Sequence, residues 1–314
     1  MNYLEPLVYI VSMEDEGILV KSILRNRMKL SRSLIGKLKQ TERGITLNGE
    51  RVYTSVAVRT GDQVEIRMAR ESSDDILPQE LPIEIIYEDN HLLVVNKSAG
   101  MIVHPTHGHY TNTLANAVVH HWLVRGEQVR FRPIHRLDQD TSGVLAIAKN
   151  PFVHQHVSEQ MNRNEFEKEY IAFVHNHPIP TEATISAPID RDLINPHIRV
   201  VTPDSGYPSV TVYRTEKVYV DGHASLVRIW LETGRTHQIR VHMKHIGCPL
   251  VGDKMYGLEP MTELKQQHDS YIARQALHAE MLTFTHPMTG ERMMFKANWP
   301  KDLLDLSEKL ESER

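Results

Sequence analysis

The stretch HRLDQDTSG, residues 135–143, places two bases and two acids directly before the apolar run VLAIA, residues 144–148. A fully apolar run is typical of a buried strand, so Asp138 is expected to lie near a sheet and not in bulk water. A carboxylate in that position needs a cation and hydrogen-bond donors, or it takes up a proton. The stretch therefore indicates either a reactive centre or a solvated turn held by an Arg–Asp pair.

A second stretch, GRTHQIRVHM at residues 234–243, can supply the cation that Asp138 needs. Gly234 ends the strand LVRIWLET, and the spacing of Ile239 and Ile246 predicts that a helix follows. That predicted helix carries the bases Arg235, His237, Arg240 and His242. A basic helix alone is typical of a solvated face, but a strand that ends in glycine before such a helix favours a site. Together the two stretches are specific for an active centre.

The segments around these stretches predict an α+β fold with a mainly antiparallel sheet, flanked by helices and loops, over residues 80–300. PIEIIYEDNHLLVVNK, residues 82–97, reads as two strands joined by a turn at Asp89-Asn90. SVTVYRTEKVYVDGHASLVRIWLE, residues 209–232, predicts a long antiparallel meander. After the HRLD stretch the pattern predicts, in order, a strand, a helix and a strand at 144–149, 150–164 and 169–175.

The first 72 residues have a different pattern, which predicts a small ααβ-rich domain. Apolar spacing indicates two short helices, and Asn48-Gly49 indicates a hairpin turn between two strands. Residues 73–82 are polar with two prolines and read as a linker, so 83–314 form the second domain. The small domain holds a cluster of bases with one acid, Glu42. These candidate contacts to a polyanion are Lys21, Arg25, Arg27, Lys29, Arg32, Lys37, Lys39 and Arg43.

Composition limits the class of protein. One cysteine in 314 residues excludes a disulfide framework, and no apolar run approaches the roughly 18 residues of a membrane span. The amino terminus is too acidic, and its apolar run too short, for a signal peptide. We therefore expect a cytoplasmic protein with no membrane partner. The net charge of −4 does not itself indicate a nucleic-acid partner, so that inference depends on the local cluster of bases.

Several motifs, in order along the chain, resemble the RluA family of pseudouridine synthases. The resemblance covers about residues 80–300, and the motifs are dense enough to make it specific. They are HRLDQDTSG, KEY (168–170), GRTHQIRVHM and LHAEMLTFTHP (277–287), with LLVVNKSAGMIVHPT (92–106) and VGDKMYG (251–257). The amino-terminal part is similar to the αL-type RNA-binding domain named after a small-subunit ribosomal protein, through SRSLIGKLKQTERGITLNGERV and GDQVEI.

The resemblance implies a catalytic domain that isomerises uridine to pseudouridine within RNA and uses no cofactor. The base detaches from its ribose, turns, and reattaches through ring carbon 5. Breaking a glycosidic bond builds positive charge on the sugar, which a nearby carboxylate stabilises. Asp138 matches the family's catalytic aspartate, which either attacks the anomeric carbon or removes a sugar proton. Arg240 matches the arginine that pairs with it, and Tyr170 matches a tyrosine that lies against the target base.

The resemblance also implies contacts with RNA, because the target uridine has to be extruded from its helix. Arg136 matches the family's arginine that fills the vacated stack, and its alternative role is a surface salt bridge to Asp140. Arg235 and His237 are further candidate RNA contacts. The added amino-terminal domain favours large-subunit ribosomal RNA as the partner, with transfer RNA as the alternative. Nothing in the sequence indicates an obligate protein partner.

Two other functions are compatible with parts of the sequence. A non-catalytic RNA-binding or ribosome-assembly factor would keep the fold and lose the acid or its partner, whereas all three candidate catalytic residues are present. A metal-dependent hydrolase would use His104, His107 and His109, which have spacings that zinc sites favour. No cysteine or carboxylate completes that set nearby, so we expect a polar loop near the RNA and no metal.

Overall fold

A computed structural model describes residues 3–257 and 262–313. A π-helical segment, Ile23–Arg27, continues the first short helix, and Met13–Asp15 and Val220–Gly222 are 3₁₀ turns. Within the described residues the helices are α1 (Val20–Ser22), α2 (Arg32–Lys39), α3 (Leu114–Val124), α4 (Pro151–Asn162), α5 (Gln238–His245), α6 (Glu263–Ser270) and α7 (Lys301–Ser312). The strands are β1 (Leu7–Ile10), β2 (Ile45–Leu47), β3 (Glu50–Arg51), β4 (Gln63–Ile66), β5 (Glu84–Glu88), β6 (Leu92–Lys97), β7 (Ser142–Ala148), β8 (Glu167–His175), β9 (Glu182–Ser186), β10 (Ile189–Arg191), β11 (Arg199–Val201), β12 (Val210–Tyr219), β13 (Ala224–Leu231), β14 (Leu277–Thr285) and β15 (Arg292–Lys296).

The strands form one large sheet and two small ones. The large sheet has nine strands in the order β5-β6-β7-β14-β8-β13-β12-β9, and β15 also pairs with β14. Its pairs are antiparallel except for β7 and β14, which run parallel where His278 lies opposite Ser142. The small sheets are β1-β4-β2-β3 and the pair β10-β11. The predicted α+β fold with a mainly antiparallel sheet is confirmed.

The central strands are apolar throughout because helices and loops cover both faces of the large sheet. In β7, Val144 and Ala146 point into one core, while Leu145 and Ile147 point into another. Successive side chains of a strand point to opposite faces of the sheet. Because both faces are buried here, the residues on both faces are apolar. Both ends of β7 are therefore fixed, and so is the HRLD loop that precedes it.

Gly143 allows β7 and β14 to approach closely. Its φ is +120°, and a Cβ added there would lie 2.1 Å from the carbonyl oxygen of Ala279. Only glycine fits this position, because any side chain would collide with backbone. The turn before β7 is Asp138–Thr141, so it ends one residue before the strand, and Ser142 and Gly143 already belong to β7.

The amino-terminal residues share an apolar core with the large sheet. Leu24 and Ile35 belong to the same cluster of buried side chains as Val144. The side chain of Gln155, on α4, accepts a hydrogen bond from Ser31 N–H (2.9 Å) and donates one to the Lys29 carbonyl oxygen (2.8 Å). The first 72 residues are thus packed against the rest of the molecule, and deleting them would expose core.

Several local predictions agree with the structure. Asn48 and Gly49 both have positive φ and join β2 to β3 in a two-residue hairpin. The Ser31 side chain caps α2 by accepting from Leu34 N–H (3.1 Å). Helix α7 buries Leu303, Leu306 and Leu310, whose spacing of three and four residues places them on one face. None of the helices in the described part of the chain combines the length and the apolar character needed to cross a membrane.

A buried histidine at the junction of β7 and β14 predicts a stability that depends on pH. The His278 ring is 0% exposed and is placed between the Ser142 hydroxyl (Nδ1, 2.9 Å) and the Ala297 carbonyl oxygen (Nε2, 3.3 Å). Burial lowers the pKa of His278 from 6.5 to about 4. Between these two pH values the unfolded chain binds a proton that the folded chain does not, so falling pH favours unfolding.

We therefore expect His278 to lower the free energy of unfolding by about 2 kcal/mol between pH 7 and pH 5. Urea unfolding of the protein and of His278→Gln at both values measures this, and the variant should lose correspondingly less stability on acidification. The same substitution at the exposed His197 is the control. Equal losses in the protein and in His278→Gln would contradict the assignment.

Candidate active site

A cavity of about 560 Å³ brings the two charged stretches together. One wall is the loop before β7, with Arg136 and Asp138, and another is Tyr170 on β8. The third is the segment from Gly234 to Arg240, which joins β13 to α5. Residues that are distant in the sequence therefore line one space, as an active centre requires.

The turn before β7 holds Asp138 at the wall of the cavity. Thr141 N–H donates to the Asp138 carbonyl oxygen (3.1 Å), which closes the turn, and β7 starts directly afterwards. The Asp138 side chain is 26% exposed, so its carboxylate is reachable from the cavity but mostly surrounded by protein. A carboxylate in such a place can act on a bound molecule.

Arg240 joins Asp138 to a second, fully buried carboxylate. Its Nη1 lies 3.3 Å from Asp138 Oδ2, while Nε and Nη2 donate to the two oxygens of Asp253 at 2.7 and 2.8 Å. Burial opposes the charge of Arg240, but the hydrogen bonds and charge of Asp253, together with Asp138, raise its pKa. The guanidinium is therefore a fixed cation whose direction is set by Asp253.

Asp253 is itself held by the loop that follows α5. The Asp253 side chain is 0% exposed and also accepts hydrogen bonds from the backbone N–H groups of Met255 (3.0 Å) and Tyr256 (3.1 Å). We did not predict this residue as part of the site, although VGDKMYG was among the motifs. Neither the residue type of Asp253 nor its position in the sequence indicated that it would pair with Arg240.

His237 and Tyr256 complete the surroundings of Arg240. His237 Nε2 lies 3.9 Å from Asp138 Oδ2, and His237 Nδ1 lies 2.9 Å from the Tyr256 hydroxyl. The Arg240 guanidinium lies over the Tyr256 ring at 4.9 Å. Burial lowers the pKa of His237 and the charge of Arg240 lowers it further, whereas Asp138 raises it. His237 is therefore a polar neighbour of the Asp138 carboxylate, and Arg240 is the cation that pairs with this carboxylate.

Helix α5 begins later than the sequence predicts. Arg235 and His237 precede the helix, which starts at Gln238, and His237 has a left-handed backbone (φ 59°). The Gln238 side chain accepts from Arg235 N–H (2.9 Å) and from the Thr233 hydroxyl (2.8 Å), so it folds the connection into a tight loop. The two bases consequently lie on a loop at the cavity and not on a helical face.

Tyr170 lies in the wall formed by β8. Its side chain is 5% exposed and belongs to the core under the cavity. Burial, and then the negative charge of Asp138, raise the pKa of its phenol. The hydroxyl therefore stays protonated and the ring offers an apolar surface beside the carboxylate, which suits contact with a flat base.

Two arginines are exposed at the cavity. Arg136 lies in the loop before Asp138, and in the part of the chain that the structure describes no ion pair joins it to Asp140. Arg235 lies over the ring of Tyr207 at 5.5 Å, and its Nε donates to the Pro208 carbonyl oxygen (3.3 Å). Both charges are available to a polyanion at the opening.

His135, for which the sequence gave no role, belongs to the structure of the loop. Its Nε2 accepts a hydrogen bond from Ala146 N–H (3.3 Å), and its ring meets Phe166 edge to face. Burial lowers the pKa of His135 to about 3. A neutral ring that accepts from β7 fixes the loop to the strand and does not take part in proton transfer near neutral pH.

The histidine loop between β6 and α3 lies partly at the same cavity. His104 lines it and stacks on Phe131, while His107 Nδ1 lies 3.4 Å from the Tyr110 hydroxyl. Among residues 3–257 and 262–313, no three side chains of His, Cys, Asp or Glu form a group that could hold a metal ion. The three histidines therefore do not make a ligand set in this arrangement.

The predicted basic residues of the amino-terminal part lie away from the cavity. None of the eight is among the residues that line it. Arg27 is engaged with Asp15 in an ion pair of 2.7 Å, so part of its charge serves the fold. The side chains of the other seven are on exposed residues: Lys21, Arg25, Lys29, Arg32, Lys37, Lys39 and Arg43.

Comparisons with known proteins agree on one family. The family model described as RNA pseudouridylate synthase matches residues 91–245. Uncharacterized RNA pseudouridine synthase YhcT of Bacillus subtilis is 34% identical over 300 residues, 96% of each chain. Ribosomal large subunit pseudouridine synthase D of Zymomonas mobilis is 40% identical over 245 residues, 76% of each chain. The solved structure titled Human RNA Pseudouridylate Synthase Domain Containing 1 has a TM-score of 0.56 and 26% identity, over 70% of this chain and 84% of that one.

Proposed function

The chain belongs to the RNA pseudouridylate synthase family and is therefore an isomerase that acts on RNA, and we propose that Asp138 is its catalytic group. The observation that carries this proposal is the position of Asp138 in the cavity, 3.3 Å from the fixed cation Arg240. Arg240 donates a charge-assisted hydrogen bond to the carboxylate and sets its direction. Either action on the sugar, attack on the anomeric carbon or removal of a proton, uses the negative charge of this carboxylate.

Tyr170 and Arg136 have complementary roles in this proposal. An extruded uracil that enters the cavity meets the ring of Tyr170, against which it can stack beside the carboxylate. Arg136 lies two residues before Asp138 and is exposed at the opening. Its planar guanidinium is suited to fill the gap that the extruded base leaves, because it can stack and also neutralise phosphate.

We propose that the substrate is large-subunit ribosomal RNA, modified in the cytoplasm. Relatives with this substrate in their names, from Zymomonas mobilis and from Pseudomonas aeruginosa, are 40% and 37% identical to the chain. Mapping pseudouridine in total RNA from cells with and without the protein tests the proposal. We expect positions lost from large-subunit ribosomal RNA alone, and losses confined to transfer RNA would contradict it.

A second measurement separates the enzyme from a non-catalytic RNA-binding factor. RNA labelled with tritium at carbon 5 of uracil releases the label when that carbon bonds to the sugar. We expect release from large-subunit RNA incubated with the protein and none with the Asp138→Asn variant. Binding of the RNA without any release would favour the assembly factor.

We further propose that residues 1–72 form the RNA-binding domain, with 73–82 as the linker and 83–314 as the catalytic domain. The domain presents seven exposed bases that point away from the core it shares with the large sheet. Phosphate contacts of this kind position an RNA without reading its sequence. Because deletion would also expose core, charge neutralisation is the appropriate test.

Replacing Lys37 and Lys39 by Gln is expected to weaken RNA binding and to reduce its dependence on salt. Each lost phosphate contact lowers the slope of log K against log salt by about 0.7–0.9. Filter binding of a large-subunit RNA fragment over a range of salt concentrations measures the slope. The matched control replaces Lys301 and Lys309, two exposed lysines of α7, by Gln. Identical slopes for the protein and the Lys37/Lys39 variant would refute a binding role for this part of α2.

A further inference from the structure

Lys168 is a buried cation at the cavity to which the mechanism above gives no role. It lies on β8 two residues before Tyr170, so both side chains point to the same face of the strand. Lys168 lines the cavity and is only 7% exposed. Its Nζ would lie 3.5 Å from a Cβ added at Gly234, so the amine lies next to the loop that joins β13 to α5.

Among the described residues no protein group accepts a hydrogen bond from this amine, and Lys168 makes no ion pair, whereas the other buried lysines have partners. Lys97 donates to three backbone carbonyl oxygens, and Lys149 pairs with two glutamates. An ammonium that is largely buried without a protein partner costs stability. A molecule that enters the cavity with an acceptor would relieve that cost.

The free amine remains positively charged under ordinary conditions. Burial lowers the pKa of Lys168 to about 8, which leaves most of it protonated at neutral pH. Asp138 does not neutralise the Lys168 amine, because the cation that pairs with Asp138 is Arg240. Arg240 is therefore bound to the catalytic carboxylate, whereas Lys168 is a separate cation with no protein partner among the described residues.

The surroundings of Lys168 favour a base over a phosphate as that partner. The two exposed arginines, Arg136 and Arg235, lie at the opening, where the backbone phosphates of a bound strand would pass. Lys168 shares a face of β8 with Tyr170, and the lining of the cavity also includes apolar side chains such as Leu231 and Met161. A uracil ring stacked on Tyr170 would bring its carbonyl oxygens, O2 and O4, into this part of the cavity.

We propose that Lys168 Nζ donates a hydrogen bond to a carbonyl oxygen of the extruded uracil and stabilises the negative charge that gathers there during the reaction. The C1′–N1 bond breaks and its electron pair stays with the uracil, where it spreads from N1 onto O2 and O4. Asp138 stabilises C1′, which has lost the pair. After the base turns, C5 supplies the pair for the new C1′–C5 bond, the C5 hydrogen leaves as a proton, and N1 takes up a proton from water. This inference rests on the proposed function.

The test couples the lysine to single atoms of the base. The variant Lys168→Met keeps most of the length of the side chain and removes its charge, and Lys296→Met, at an exposed position of β15, is the control. The RNA is an oligonucleotide that spans a mapped target uridine, made with uridine, 2-thiouridine or 4-thiouridine at that position. Single-turnover rates follow from mass spectrometry of the nucleosides, and affinities from filter binding.

We expect Lys168→Met to lower the single-turnover rate about 100-fold with unchanged RNA affinity, as loss of one donor to a developing anion does. Sulfur accepts hydrogen bonds weakly, so a thio substitution at the contacted oxygen should slow the unmodified protein and leave the variant unaffected. A role in folding alone does not produce that difference. The melting temperature of the variant should be equal or higher, because an unpaired buried amine is removed.

Three results would overturn the contact. The first is an unchanged single-turnover rate in Lys168→Met. The second is that the thio substitutions slow the unmodified protein and the variant equally. The third is that Lys168→Met loses RNA affinity while its rate is unchanged. Replacement of the phosphate at the target nucleotide by a methylphosphonate tests a contact with phosphate. If it slows the unmodified protein but not Lys168→Met, the lysine contacts phosphate, and the proposed contact with the base is excluded. If the unmodified protein itself fails to turn over the uridine oligonucleotide, the proposed function fails, and that outcome is distinct from all of these.

Discussion

Asp138→Asn is expected to lower the rate of pseudouridine formation at least about a thousandfold while RNA binding and folding persist. The amide oxygen of asparagine can still accept from Arg240 Nη1, so the loop and the cation should keep their places. What is lost is the negative charge that stabilises the sugar when the glycosidic bond breaks. Tritium release from labelled RNA measures the rate, and filter binding measures the affinity.

Asp140→Asn is the matched control for this experiment. Asp140 lies in the same turn two residues later, and its backbone carbonyl oxygen, not its carboxylate, holds the loop through Arg274 (3.0 Å). The same change of charge at this position should therefore leave turnover unchanged. Substantial residual turnover in Asp138→Asn, or an equal loss in Asp140→Asn, would remove Asp138 from the catalytic role.

The strands that position Asp138 could be predicted because their apolar residues indicate directly that the strands are buried. The apolar runs of β6 and β7 indicate strands that are buried on both faces, and Asp89-Asn90 lies in the turn that joins β5 to β6. Local chemistry fixes such features, as it fixes the Asn48-Gly49 hairpin. The short edge strand β1 was not predicted, since the residues of Leu7–Ile10 are all apolar and too few to show a pattern of strand or helix.

The arrangement around Arg240 could be predicted only in part. The sequence indicated that a base of the stretch 234–243 pairs with Asp138, because an acid near a buried strand needs a cation, and the resemblance to the family singled out Arg240. It gave no means of finding that Asp253 takes two of the guanidinium's nitrogens, since that depends on how the loop after α5 folds back over the helix. Lys168 belongs to the KEY motif, but the sequence assigned it no role. Only the three-dimensional structure shows that no described protein group accepts a hydrogen bond from its amine.

Arg240→Lys is expected to lower the single-turnover rate about 100-fold, although the positive charge is kept. The guanidinium contacts both carboxylates at once, through Nη1 to Asp138 and through Nε and Nη2 to Asp253. An ammonium is a single point charge, and the fully buried Asp253 should compete for it more strongly than the partly exposed Asp138. The catalytic carboxylate then loses its fixed direction while RNA affinity is maintained.

Arg214→Lys on β12 is the control, because Arg214 is half exposed and lies over Trp230 away from the cavity. Comparison of Arg240→Lys with Arg240→Met separates charge from geometry. If both variants are equally slow, the fork that spans Asp138 and Asp253 is the essential property of the arginine. If Arg240→Lys keeps the full rate, a nearby positive charge alone suffices, and Asp253 then serves only to neutralise Arg240 in the core.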